Sequence, residues 1–406
     1  MSDYAREAGA ASSVSMESLF LSKEQLLARR NVKWSRHGAD VIPSFIAEMD
    51  FRVAEPIQRA IERIVSEQDY GYPSRKGFER GDRAVPAAFA ARMSRLYGWE
   101  ISADDATPLA DLIQATFALV QAFSDEGDNV LLHVPAYAPF FAAVRTTRRR
   151  VVELRLRDDG TGYRADMDEL AASAKSARLL MLCNPQNPTG RVFTRDELEA
   201  MGRIAVENDL IIIADEVHSD LVYPGRRHIP MASLGPEIAA RTVTISSATK
   251  AFNIPGLRCA VMHFGTPALR ERFEARIARG TLGQANAFGI DATVAAWTEG
   301  QSWLDAVLAH LERARDMAMA RLGADMPAIR CHAPEASYLA WLDCSALDLG
   351  TPAAAFFLDK ARVALGAGED FMADGAPFVR LNFATSDEIL NEMLDRMAMA
   401  VRRRAA

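Results

Sequence analysis

Lys250 stands just past the apolar, β-branched run TVTIS (242–246) and before a Pro-Gly turn, with Ser247 three residues earlier and Arg258 eight later. Arginine fills most cationic positions of this chain, which has only six lysines among its 47 basic residues. A lysine kept here points to work a guanidinium does not do, because an amine can lose its proton and attack a carbonyl. Three further side chains with chemistry close apolar runs: Tyr137 after NVLLHVPA, Asn187 in CNPQNPTG and Asp215 at the end of LIIIAD. Each has a local explanation, Tyr137 as a packed loop aromatic, Asn187 as the turn residue before Pro188 and Asp215 as a helix cap. Together they form a set of aromatic, amide, carboxylate and amine at strand ends, where open α/β sheets gather ligands.

The elements that must position this set are readable in the middle of the chain. NVLLHV (129–134), RLLMLC (178–183), LIIIAD (210–215), TVTIS (242–246) and CAVMHF (259–264) are continuously apolar, as expected of parallel strands covered on both faces. Helical patterns lie between them, among them 194–209, where Thr194 and Glu197 form a capping box. The alternation predicts an α/β domain with a mostly parallel sheet. Beyond it the pattern changes to a helix from about Trp303 to Leu322, strands in SYLAWLD (337–343) and FVRLNFA (378–384), and a closing helix over 386–403. The expected division is a mobile tail 1–16, a segment 17–55 joining the small domain, a large domain 56–295 and a small α+β domain 296–406. Methionines at helical spacing in ERARDMAMARL and RMAMAVRRR read as core, as do Trp99, Trp297 and Trp341.

The totals bound the class. With 406 residues and 49% hydrophobic content the chain buries a large core, and a net charge of −7 offers no basic field for nucleic acid. Cys183, Cys259, Cys331 and Cys344 show no CxxC spacing, which favours reduced buried thiols over a disulfide framework or a metal site. No run approaches the ~18 unbroken apolar residues of a membrane span, and the N-terminus lacks a signal-peptide pattern. A cytoplasmic protein is expected, with neither membrane nor nucleic acid as partner.

The strand-end set matches what pyridoxal 5′-phosphate requires: an amine for its aldehyde, an acid for its ring nitrogen and anchors for its phosphate. Lys250 supplies the amine and Asp215 the charge-assisted partner of the pyridinium. Asn187 suits the phenolic oxygen and Tyr137 the ring face. Ser247 and Arg258 suit the phosphate, with backbone N–H groups of Ala110, Asp111 and Leu112 at the start of a helix. Asp111 itself would repel a phosphate unless its carboxylate points away or caps the helix.

NPQNPTG, ADEVHSDLVY and SSATKAFNIPGLR follow one another as in the class I/II aminotransferase family, and the chain resembles that family from about residue 30 to its end. The lysine signature Ser-x-x-Lys-x5-Gly-x-Arg is met by Ser247, Lys250, Gly256 and Arg258, and key positions 187, 215 and 250 are separated by 28 and 35 residues. The resemblance implies the three-layer fold type I architecture of pyridoxal-phosphate enzymes, with Lys250 as the catalytic lysine. FIAEMDF (45–51), YGYPS (70–74), HVPAYAPFF (133–141) and DEVHSDLVY (215–223) look most like the MalY/PatB branch of cystathionine β-lyase-like enzymes, with Glu48 in place of that branch's Asp.

On this resemblance Arg380 grips the α-carboxylate of an amino-acid substrate, and Ala47 lies on the substrate side. Tyr72 reaches the neighbouring subunit's cofactor phosphate, which implies a homodimer with shared sites. His218 is either a hydrogen-bonded helix residue or a contact to the phenolic oxygen or to Asp215. The expected activity is C–S β-lysis of cystathionine or a related cysteine S-conjugate. The alternatives are transamination of an L-amino acid, a specialised biosynthetic elimination or cyclisation, and a ligand-sensing module without turnover.

Overall fold

A computed structural model of the chain describes residues 19–73 and 79–405. The tail expected over 1–16 and Ser74 of the YGYPS motif lie outside the described residues. The strands in chain order are β1 (Ile42–Ser44), β2 (Ala106–Leu109), β3 (Asn129–Val134), β4 (Arg150–Arg155), β5 (Arg157–Asp158), β6 (Tyr163–Arg164), β7 (Ala177–Cys183), β8 (Ile211–Asp215), β9 (Thr242–Ser246), β10 (Ala260–Phe264), β11 (Leu339–Asp343), β12 (Val363–Ala367) and β13 (Phe378–Asn382). Seven of them form one sheet in the order β2-β10-β9-β8-β7-β3-β4. Strands β4, β3, β7, β8 and β9 are mutually parallel, whereas β10 pairs antiparallel with both β9 and β2. The expected mostly parallel sheet is therefore present, with one correction: CAVMHF runs against its neighbours. Its unbroken apolar character reports burial on two faces, and that is the same for either direction.

Both faces of the sheet are covered. Leu179 and Met181 of β7 face a cluster that includes Leu119 and Phe123 of the helix Leu112–Phe123. Leu180 and Leu182 face the opposite cluster, with Leu198, Met201 and Ala205 of the helix Arg195–Glu207. The two-residue period thus serves two separate cores, which is why the strand reads as uninterrupted hydrophobicity. Thr194 and Glu197 close the capping box anticipated at the start of that second helix.

A four-stranded sheet, β1-β12-β13-β11, combines elements from both ends of the chain: β1 pairs parallel with β12, and β13 antiparallel with β12 and β11. The segment after β1 is pinned by a buried network. Lys33 Nζ lies 2.8 Å from Asp50 Oδ2 and donates to the Glu48 carbonyl, while Trp34 Nε1 donates to Asp50 Oδ1 at 2.6 Å. Both charged side chains are almost fully excluded from water. Asn253 completes the fastening by bonding the backbone of Met49 through both amide atoms. Residues 45–50 are thereby held against the loop that follows β9.

The helices expected at 303–322 and 386–403 extend over Gln301–Asp325 and Asp387–Ala405. Met397 is buried, but Met399 is 46% exposed, so helical spacing alone overstated the core there. Trp99, Trp297 and Trp341 are buried as expected. Among the described residues no helix is long and apolar enough to cross a membrane.

Candidate active site

A cavity of about 240 Å³ opens at the C-terminal ends of the parallel strands. Ala47, Ala110, Asp111, Leu112, Tyr137, Asn187, Asp215, His218, Ser247, Lys250, Arg258 and Arg380 all line it, so the side chains singled out along the chain meet in one place, Tyr72 excepted. Tyr72 is 80% exposed and lines a separate pocket with Tyr70, Asn286 and Phe288.

Each residue is set by its element. Asp215 is the last residue of β8; its Oδ1 accepts from the Val217 amide at 3.1 Å, and burial pushes its carboxyl up to about 6. Asn187 sits in the loop after β7, buried, in a turn closed by Gln186, whose side chain accepts from the Thr189 amide and donates to the Pro135 carbonyl. Gly190 ends that loop at φ +70°, and a Cβ there would stand 2.3 Å from the Pro334 side chain. Its carbonyl accepts from the amides of Glu335 and Ala336, so only glycine lets this loop meet the segment entering β11.

Lys250 follows a turn held by Ser247, whose hydroxyl donates to the Cys259 carbonyl at 2.6 Å and accepts from the Thr249 amide at 3.1 Å. Lys250 Nζ donates to the Ala47 carbonyl at 3.1 Å. Burial, with the Arg380 guanidinium as second cause, lowers its amine to about 8. An amine so lowered is about one tenth neutral at pH 7, far more than an ordinary lysine, which favours a nucleophile or base. Arg380 on β13 is buried; its Nη1 donates to Asn187 Oδ1 at 3.0 Å and its Nη2 to the Phe45 carbonyl at 2.9 Å. Its Nε is buried without a partner among the described residues, and desolvation lowers the guanidinium to about 10.

At another wall, Asp111 is the N-cap of the helix Leu112–Phe123. Its Oδ1 accepts from the amides of Ile113 and Gln114 at 2.8 and 3.2 Å, and its Oδ2 lies 2.7 Å from Arg258. The capping role open to it in the sequence is the one it takes. His218 is buried with Nδ1 3.2 Å from the Ser337 hydroxyl, and desolvation lowers it to about 3, so its ring is neutral.

Sequence reasoning missed the set that holds the lysine from the other side. The Tyr338 hydroxyl donates to the Ala47 carbonyl at 3.2 Å, so this one oxygen receives both Tyr338 and Lys250. Ser337, at φ +69°, links the His218 ring to the start of β11. A backbone carbonyl acceptor carries no side-chain signature, and SYLAWLD read only as a strand. The positive φ at a serine is likewise invisible without coordinates.

The chain matches the family described as Aminotransferase class I and II over residues 54–397. It is 32% identical to cystathionine beta-lyase PatB of Bacillus subtilis, covering 94% of this chain and 99% of that protein. It is 30% identical to the arginine–pyruvate transaminase AruH of Pseudomonas aeruginosa over 89% of this chain and 90% of that one. Among solved structures, a putative PLP-dependent beta-cystathionase from Corynebacterium diphtheriae superposes with a TM-score of 0.88 at 31% identity, covering 94% and 98% of the two chains. Cystalysin from Treponema denticola, which contains pyridoxal 5′-phosphate, gives a TM-score of 0.87 at 27% identity over 94% and 98%. With the motifs, the strand order and the family match in agreement, the chain belongs to the class I and II aminotransferase family.

Proposed function

We propose that this protein is a pyridoxal-phosphate-dependent C–S β-lyase that splits cystathionine or a related cysteine S-conjugate into pyruvate, ammonia and a thiol. The observation that carries the reading is the meeting of Lys250, Asp215 and Arg380 around one cavity, in a chain whose similarity to a cystathionine β-lyase spans nearly its full length.

The residues fit the cofactor. A buried carboxylate (Asp215) suits the ring nitrogen, the Asn187 amide the phenolic oxygen and Tyr137 the ring face. Ser247, Arg258 and the helix N-terminus at Ala110–Leu112 suit the phosphate, and His218 lines the same cavity. When bound, pyridoxal phosphate supplies an electron-accepting ring that stabilises negative charge at the substrate Cα. The chain's own groups do the rest. Lys250 would hold the cofactor through its amine and, once freed by the substrate amine, would take the Cα proton as general base. Asp215, ionised above about 6, keeps the ring nitrogen protonated. Arg380 fixes the α-carboxylate and Ala47 borders the substrate. The Cβ–S bond then breaks with the electron pair leaving on sulfur; a proton completes the thiol, and water converts the remaining fragment to pyruvate and ammonia.

Arg380 lies on β13, and gripping the carboxylate draws residues 296–406, with 17–55, as a small domain over the 56–295 domain. The assembly we infer is a homodimer with shared sites, supported by the exposure of Tyr72, which does not line its own chain's cavity. Four free cysteines support a cytoplasmic setting. The test is pyruvate release from L-cystathionine by cofactor-loaded protein without a ketoacid acceptor. Multiple turnovers support the lyase. One equivalent of product, with activity restored by adding a ketoacid, would make it an aminotransferase instead.

A further inference from the structure

We propose that Asp111 is a built-in competitor of the cofactor's phosphate, an internal anion already paired with Arg258. This rests on the pyridoxal-phosphate reading above and concerns a charge that lines this chain's cavity.

Two electropositive elements at this wall suit a phosphate: the N-terminus of the twelve-residue helix Leu112–Phe123 and the guanidinium of Arg258. Asp111 engages both. One carboxylate oxygen takes the amides of Ile113 and Gln114, and the other takes Arg258 at 2.7 Å. Among the described residues, Asp111 is the one hydrogen-bond partner of that guanidinium. The cradle is thus charge-neutral within the protein itself. An arriving phosphate, with its larger charge and three acceptor oxygens, outcompetes a carboxylate for Arg258. It does so while sharing or displacing the Asp111–Arg258 contact and with a second anion close by. Asp111 therefore sets cofactor affinity below what the arginine and helix end would give alone, and it eases cofactor exchange.

Asparagine caps a helix as well as aspartate does, so Asp111→Asn removes the charge while keeping the cap; Asp111→Ser is a second neutral cap. The experiment titrates cofactor-free protein, wild type and both variants, with pyridoxal phosphate and with pyridoxal, following cofactor absorbance at low and high salt. We expect both variants to bind pyridoxal phosphate about tenfold more tightly at low salt, the scale of unit charges a few ångströms apart in a water-rich site. Binding of pyridoxal, which has no phosphate, should be unchanged. Equal or weaker binding of pyridoxal phosphate by variants of native circular dichroism would overturn the proposal and make Asp111 an orienting partner of Arg258. An equal gain for pyridoxal would also overturn it, since the effect would not lie at the phosphate. If wild-type protein binds neither compound, the cofactor reading itself falls, and the proposal with it.

Discussion

Replacing Arg380 with lysine keeps a positive charge and removes the planar fork, and the structure sets how much that should matter. Arg380 has five N–H donors. One is committed to Asn187 Oδ1 at 3.0 Å and one to the Phe45 carbonyl at 2.9 Å, while Nε–H is buried without a partner among the described residues. That leaves donors on one edge for a bidentate carboxylate. A lysine has three donors on one nitrogen and cannot hold both anchors and a carboxylate together. The environment that lowers the guanidinium to about 10 would also discharge an amine far more readily. Taking about 2 kcal/mol for each charge-assisted bond, the loss of one or two amounts to roughly 2–4 kcal/mol in the transition state. At 1.4 kcal/mol per decade, kcat/KM should fall by about 30- to 700-fold. Steady-state pyruvate release measures this, with cofactor absorbance as the control that the site still loads. A loss of less than about threefold would refute the assignment of Arg380 to the substrate carboxylate.

Two other expectations follow from the buried charges. Lys250 is lowered to about 8 and Asp215 raised to about 6. The rate at which cofactor-free protein captures pyridoxal phosphate should therefore rise with pH through a midpoint near 8, and affinity should weaken as pH falls through 6; stopped-flow absorbance between pH 5 and 10 reads both, and a midpoint near the ordinary lysine value would contradict the first. Asp50→Ala leaves Lys33, 1% exposed, without its carboxylate, and should cost about 3–5 kcal/mol in urea unfolding; a change under about 1 kcal/mol would show that the network pinning residues 45–50 contributes little.

The fold class and the membership of the cavity were legible because both depend on side chains. Apolar runs marked β3, β7, β8, β9 and β10, and the polar residues following the first four marked the cavity. Direction was not legible, since β10 carries the same two-sided burial as its parallel neighbours. Strands β1 and β12 escaped notice for a related reason: IPS is three residues with a proline, and VALGA has a glycine near its end. Their pairing joins residues more than 300 apart, and no local pattern reports it. The hold on Lys250 by the Ala47 carbonyl and the Ser337–His218 contact are products of tertiary approach. Asp111 is the intermediate case. Its type and place raised the phosphate question, and only geometry could show it capping the helix and pairing with Arg258 at once.

The most direct test of the account asks which lysine carries the cofactor. Protein loaded with pyridoxal phosphate is reduced with borohydride, digested and mapped by mass spectrometry. The account predicts the pyridoxyl label on the peptide containing Lys250, and its loss, with the cofactor absorbance, in Lys250→Ala. A label on another lysine, or an undiminished signal in that variant, would contradict it.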